Sequence, residues 1–158
     1  MSSGGSTVLF RALPSTSRFT FAEKRRLKNF AQFLSRNIVN GRAFTCLITG
    51  NGELRGLNSQ FLRHDYPTDV LSFPSGMDGD ELGDLAISAE RAEMQAQEFG
   101  HARVDEICIL MLHGLLHLAG MDHQTDNGEM ARAEQNWRDQ LNLPTTLIAR
   151  SSLVRSAP

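Results

Sequence analysis

Three histidines within eleven residues are the part of this 158-residue sequence best suited to chemistry. His113 and His117 are four positions apart, so on an α-helix both imidazoles lie on one face and can reach a single metal ion. Gly120 follows at a position where helices often end in a left-handed residue, and the turn can bring His123 to the same ion. Three neutral nitrogen ligands leave one tetrahedral position open, which is typical of catalytic zinc sites. We therefore predict that His113, His117 and His123 bind one Zn²⁺ ion.

The residue after the first histidine limits the reactions expected of this site. The spacing is similar to the HExxH helix of zinc metalloproteases, in which the Glu acts as the general base. This chain has Gly114 at that position. A zinc-dependent hydrolase of peptides or amides is therefore an alternative against which the missing carboxylate argues. Zinc supplies a water of lowered pKa and can polarise a phosphoryl oxygen without a helix Glu.

Length and composition indicate the class of protein. The length fits one domain, which we predict to span residues 1–158 with flexible ends at 1–6 and 145–158. No apolar run is long enough to cross a bilayer, and the first residues lack the pattern of a secretory signal. We therefore expect a cytoplasmic protein with no membrane partner. Cys46 and Cys108 each lie in an apolar run, which predicts buried free thiols.

Charge is distributed unevenly along the chain, although the formal net charge is only −2. One N-terminal stretch has Glu23 as its single acidic residue and contains these basic residues: Arg11, Arg18, Lys24, Arg25, Arg26, Lys28, Arg36 and Arg42. Such a stretch forms either a surface for phosphate groups or a solvated helix face. The sequence favours neither interpretation.

Hydrophobic periodicity predicts the elements that must position the histidines. Strands are expected at 7–13, 43–49, 70–73 and 82–87, and the last two form an antiparallel hairpin. Helices are expected after a capping box at 20–23, after Asn51, after Ser88, over 103–119 and after a second capping box at 126–129. The helix that contains the histidines is apolar on nearly every side and should be buried. The predicted fold is α/β (α+β), with a small mixed four-stranded sheet packed against about five helices around a central metal-binding helix.

Three ordered blocks of sequence resemble the YbeY family of bacterial rRNA maturation factors. The histidine segment is similar to that family's HGxLHLxGYDH signature, with Met121 in place of the usual Tyr. Residues 57–63 followed by 67–74, and then residues 82–88, match further segments in the family's order. The resemblance implies a metal-dependent endoribonuclease specific for single strands, which acts in small-subunit rRNA 3′-end maturation and ribosome quality control. It also implies that the partners are single-stranded RNA, small-subunit rRNA, and the small ribosomal subunit with its associated proteins.

The resemblance also points to a cation beside the metal. Arg63 lies in the second matching block, and its planar guanidinium suits bidentate binding of a phosphate group. Phosphoryl transfer needs positive charge where negative charge develops on the phosphate oxygens. We therefore expect Arg63 to be a catalytic residue together with the three histidines.

The sequence leaves several roles and alternatives undecided. Asp122 either accepts a hydrogen bond from a histidine ring or only forms the turn beside it. His64 and His101 are expected at the surface. A ribosome-associated binding module with a structural zinc is a second alternative, although structural zinc sites usually have four protein ligands. Cleavage through the 2′-hydroxyl of the substrate and direct hydrolysis are both compatible with these residues.

Overall fold

A computed structural model of the chain describes residues 5–62, 69–75 and 81–149. These residues form four strands and five α-helices: β1 (Thr7–Phe10), α1 (Phe21–Ile38), β2 (Ala43–Thr49), α2 (Asn51–Leu57), β3 (Val70–Pro74), β4 (Glu81–Ser88), α3 (Ala89–Phe99), α4 (Arg103–Leu118) and α5 (Glu129–Leu141). A 3-10 turn at Ser15–Ser17 precedes α1, and a π-helical turn at Asn58–Leu62 extends α2.

The sheet is mixed and has the strand order β1-β2-β4-β3, which confirms the predicted fold class. The first three strands in this order are parallel, and β3 pairs with β4 in the antiparallel hairpin that the sequence predicts. Alternate residues of β2 (Phe44, Cys46 and Ile48) belong to the main core. A smaller apolar cluster contains Leu54 of α2 and Leu71 of β3.

The central helix is α4, as its apolar sequence predicts. It contacts α1, α3, α5, β3 and β4, and most of its side chains are buried. Ile107, Leu110 and Met111 have no exposed surface. Cys46 and Cys108 are buried free thiols, as predicted, and burial raises the pKa of Cys108 to about 12. The helix that contains His113 and His117 is therefore packed against the rest of the fold on several sides.

The two predicted capping boxes have different outcomes. At the start of α1, Thr20 Oγ1 accepts a hydrogen bond from the Glu23 backbone at 3.1 Å, and the Thr20 backbone donates to Glu23 at 2.8 Å. The capping box predicted at 126–129 is wrong, because α5 begins at Glu129 and its N-cap is Gly128. The Asp126 carboxylate instead accepts hydrogen bonds from the backbones of Gly128 and Met130, both at 2.9 Å. A left-handed Gly128, with a φ of 97°, shifts the start of the helix.

Residues near both ends of the described chain contact the rest of the fold. Ser6 is buried, and its hydroxyl accepts a hydrogen bond from the Phe44 backbone at 3.1 Å. Thr146 is also buried, and Leu147 and Ile148 pack against the main core. The flexibility of residues 1–6 and 145–158 stays a prediction. Within the described part of the chain, no helix combines the length and apolarity needed to cross a membrane.

Candidate metal centre

The C-terminal end of α4 turns the chain back toward the last turns of the same helix. Gly120 adopts a left-handed conformation with a φ of 101°. The Met121 backbone donates to the Leu116 carbonyl at 3.0 Å, and the Gly120 backbone donates to the His117 carbonyl at 3.0 Å. These two hydrogen bonds form a Schellman motif, which satisfies carbonyls at the end of the helix. The left-handed turn predicted at Gly120 is therefore present.

Three imidazole rings lie together at this end of α4. The ring centroids of His113 and His117 are 4.8 Å apart, and the ring of His123 lies 5.3 and 5.5 Å from them. Each ring offers one nitrogen atom, and these three atoms lie within 4.8 Å of one another. The structure thus brings together the three histidines that the sequence singles out, in an arrangement that could hold one metal ion.

The remaining ring nitrogens fit this role. His113 Nδ1 lies 2.5 Å from Glu134 Oε2, and His117 forms a hydrogen bond with the backbone of Met121. One nitrogen of each of these two rings is therefore left for a metal. Among the described residues, the buried Nδ1 of His123 has no hydrogen-bond partner. A metal ion bound at this nitrogen would give it one. The contact of His117 at Met121 uses the backbone and so does not depend on the side chain at that position.

Glu134 is the functional residue that sequence reasoning missed. Its side chain is only 1% exposed, and it joins two distant parts of the chain. One carboxylate oxygen contacts His113, and the other accepts a hydrogen bond from the Ile148 backbone at 3.2 Å. A carboxylate at Nδ1 holds an imidazole in the tautomer that presents Nε2 to a metal. The signal was available, because Glu134 interrupts an apolar helical stripe that contains Met130 and Trp137.

Other residues discussed from the sequence have different outcomes. Asp122 is a turn former, since its carboxylate accepts a hydrogen bond from the backbone two residues later at 3.0 Å. The prediction that His101 is at the surface is wrong. Its side chain is 7% exposed, because it pairs at 2.7 Å with the buried carboxylate of Glu106. Arg63 and His64 lie outside the described residues.

Gly114 lies against the sheet. A Cβ atom at this position would be 2.8 Å from Leu85 Cδ2 and 3.2 Å from Val70 Cγ2. Position 114 corresponds to the general base of HExxH. A side chain there would point into the core between α4, β3 and β4. This contact gives a physical reason why the chain has glycine there, and it argues against the chemistry of a peptide hydrolase.

We expect Gly114→Ala to lower the free energy of unfolding by about 1–2 kcal/mol. Overpacking a core costs roughly 1–3 kcal/mol, and the better helix propensity of Ala recovers at most about 1 kcal/mol. Urea denaturation measures the difference. Gly56→Ala in α2 is the matched control, because a Cβ atom there meets nothing within 4 Å. A Gly114→Ala protein as stable as the wild type would show that Leu85 and Val70 move aside freely.

The histidine cluster also predicts how the stability of the metal-free protein depends on pH. Burial lowers the pKa of both His117 and His123 below the ordinary value near 6.5, and the neighbouring His113 adds to this shift. Below pH 6.5 the unfolded chain therefore binds protons that the folded chain does not. We expect the free energy of unfolding, measured in urea with a chelator, to be lower at pH 5.5 than at pH 7.5.

A variant isolates this contribution from other titrating groups. His117→Asn removes one of the two imidazoles with a lowered pKa, so the fall in stability between pH 7.5 and pH 5.5 should be smaller than in the wild type. Acidic side chains ordinarily titrate well below this window. An equal fall in both proteins would rule out His117 as a source of the pH dependence.

Comparison with known proteins adds independent information. Residues 15–142 match the family described as Endoribonuclease YbeY. The chain is 53% identical over 146 residues to the Endoribonuclease YbeY of Solibacter usitatus (strain Ellin6076), and the match covers 92% of this chain and 95% of that protein. It is 54% identical over 106 residues to the Endoribonuclease YbeY of Koribacter versatilis (strain Ellin345), which covers 67% of this chain and 69% of that protein.

A solved structure has a similar fold. The solution structure of TM1509 from Thermotoga maritima has a TM-score of 0.57 and 25% sequence identity, and the match covers 87% of this chain and 93% of that chain. The family match includes the whole histidine segment and α5, which supplies Glu134. These matches show that the chain belongs to the Endoribonuclease YbeY family, whose members are hydrolases that act on RNA.

Proposed function

We propose that this chain is a single-domain endoribonuclease that uses a metal to cleave single-stranded RNA during small-subunit rRNA 3′-end maturation and ribosome quality control. The main support is the cluster of His113, His117 and His123 at one end of α4. The names of the relatives support an RNA substrate. This role implies that the small ribosomal subunit and its associated proteins are partners and that the protein acts in the cytoplasm.

We propose Zn²⁺ as the resident metal, with His113, His117 and His123 as its ligands. The metal-binding cluster found among the described residues consists of three histidines, without a Cys or a carboxylate. Three protein ligands are typical of a catalytic zinc site, whereas structural sites usually have four, which argues against a purely structural zinc. A bound zinc supplies a water of lowered pKa and polarises a phosphoryl oxygen. Burial lowers the pKa of His117 and His123, which favours their neutral forms, and Glu134 contacts His113.

Arg63 is proposed as the cation that binds the phosphate at the scissile bond. Because its role concerns the substrate rather than the metal, Arg63→Ala should keep one bound metal while RNA cleavage falls at least about tenfold. Metal analysis and the rate of cleavage of one RNA oligomer measure the two effects. Arg55→Ala, an exposed Arg on α2, is the control variant. Normal cleavage by Arg63→Ala would mean that another group binds the phosphate.

The experiment that tests the function compares zinc-loaded and chelated protein on a single-stranded RNA, the same RNA annealed to its complement, and a peptide library. We expect cleavage of the single-stranded RNA alone, by the zinc-loaded protein alone. Cleavage of peptides and not of RNA would support the hydrolase of peptides or amides. Zinc-loaded protein that cleaves neither substrate would support a binding role on the ribosome.

A further inference from the structure

The basic N-terminal stretch is not neutralised evenly in the structure. Arg11 pairs with Glu53 at 2.7 Å, and Arg26 pairs with Asp105 at 2.5 Å. The ammonium group of Lys24 lies over the ring of Phe10. Two other basic side chains of α1, Arg25 and Lys28, are exposed, and no ion pair or hydrogen bond is made by either within the described residues. Arg25 and Lys28 therefore put two unpaired charges on the N-terminal half of α1. Within the described residues, the exposed side chains of Arg18 and Arg36 also make no ion pair.

An aromatic ring lies beside this charge. Phe21, the first residue of α1, is 80% exposed, although a large apolar side chain is normally buried. It lines a shallow groove of about 350 Å³ together with Ala22, Arg25, Arg26 and Asn29. Phe21, Arg25 and Lys28 are spaced by four and three residues, so they lie along one side of the helix. We call these three residues the α1 surface.

We propose that the α1 surface binds single-stranded RNA outside the metal centre, as a second contact for the substrate. This inference rests on the proposed function. Unpaired Arg and Lys side chains attract phosphates, and an exposed aromatic ring gives a base a face on which to stack. Because the net charge of the chain is −2, attraction of RNA depends on a local basic surface rather than on the charge of the whole molecule.

The position of the α1 surface sets the length of RNA that can reach it. The ion pair between Arg26 and Asp105 places the N-terminal part of α1 beside the first turn of α4. His113 and His117 follow Asp105 by eight and twelve residues, which corresponds to about 12 and 18 Å along the helix. At about 3.4 Å per stacked nucleotide, this distance spans roughly four to five nucleotides. A tetranucleotide cleaved near its middle is therefore too short to contact both places.

The test compares a single-stranded RNA of about 20 nucleotides with a tetranucleotide. The variants are Phe21→Ala and the double variant Arg25→Gln/Lys28→Gln. Binding of the long RNA is measured by fluorescence anisotropy on the full chain with a chelator, and cleavage of both RNAs is measured on the metal-loaded protein. We expect each variant to raise the Kd for the long RNA roughly tenfold and to leave tetranucleotide cleavage unchanged. The double variant should also reduce the slope of log K against log salt by about 1.4.

The matched control is Arg36→Gln/Arg42→Gln, which removes the same charge from positions beyond the N-terminal half of α1. Wild-type affinity for the long RNA in the Phe21→Ala and Arg25→Gln/Lys28→Gln proteins would overturn the proposal. An equal loss of affinity in the control protein would also overturn it, since overall charge would then explain the binding. Because binding is measured without cleavage, a protein that binds RNA through the α1 surface and cleaves none would refute only the proposed function. Thermal unfolding confirms that the variants are folded.

Discussion

Replacing His117 with Ala is expected to remove the bound metal and RNA cleavage together. His117 is the central member of the cluster in sequence, and its ring lies 4.8 Å from that of His113 and 5.5 Å from that of His123. Without it, two imidazoles remain, and two ligands do not define a closed coordination geometry. The loss of metal affinity should exceed the 10–100-fold typical of removing an outer hydrogen-bond partner. Metal content after dialysis and cleavage of a single-stranded RNA measure the two effects.

A second histidine provides the control for this experiment. His101 is the described histidine outside the cluster, and its ring contacts Glu106 instead. His101→Gln keeps a polar side chain for that contact and should retain one bound metal and wild-type cleavage. A His117→Ala protein that still bound one equivalent of metal would show that the three imidazoles are not the ligand set. Loss of metal with full cleavage would separate the metal from the reaction.

Glu134→Ala is expected to weaken metal binding about 10–100-fold, although Glu134 is not placed among the ligands. The substitution leaves His113 Nδ1 without its carboxylate, so the ring can adopt the tautomer that protonates the nitrogen needed for the metal. It also leaves the Ile148 backbone without its acceptor. Unsatisfied buried groups cost roughly 1–3 kcal/mol, so the metal-free protein should be destabilised by this amount. Competition with a chromogenic chelator measures the affinity, and urea denaturation measures the stability.

The conservative variant separates positioning of His113 from simple packing. Glu134→Gln has nearly the same shape, and its carbonyl oxygen can still accept a hydrogen bond from His113. Its amide group then faces the Ile148 backbone donor, so some stability should still be lost. We expect Glu134→Gln to recover most of the metal affinity that Glu134→Ala loses. Equal affinities in the two variants would mean that Glu134 only fills space.

The sequence predicted the local features of the site because they depend on short stretches of chain. The spacing of His113 and His117 requires only a helix, and the return of the chain to His123 requires only a left-handed residue at Gly120. The capping box at Thr20 is equally local. The strands of the antiparallel hairpin could be paired because the connection between them is short.

The features that the sequence did not predict depend on contacts between distant segments. Glu134 contacts His113 across 21 residues. Its place in an apolar stripe is the single local feature that distinguishes it from a solvated helix carboxylate. His101 was expected at the surface because the burial of its partner Glu106 depends on how α4 packs. The adjacency of β2 and β4 also required the three-dimensional structure, since β3 lies between them in sequence.

Glu134 connects the site to two segments that are far apart in the sequence. As the chain is synthesised, the histidine segment emerges before Glu134, and the backbone donor of Ile148 emerges later still. A chain that ends before residue 148 therefore contains all three proposed ligands. It lacks the Ile148 backbone donor that holds the Glu134 carboxylate against His113. We expect metal binding by the three histidines and the docking of Ile148 onto Glu134 to stabilise each other, because each favours the same folded arrangement. We therefore expect full affinity for the ion only in a chain that extends past Ile148.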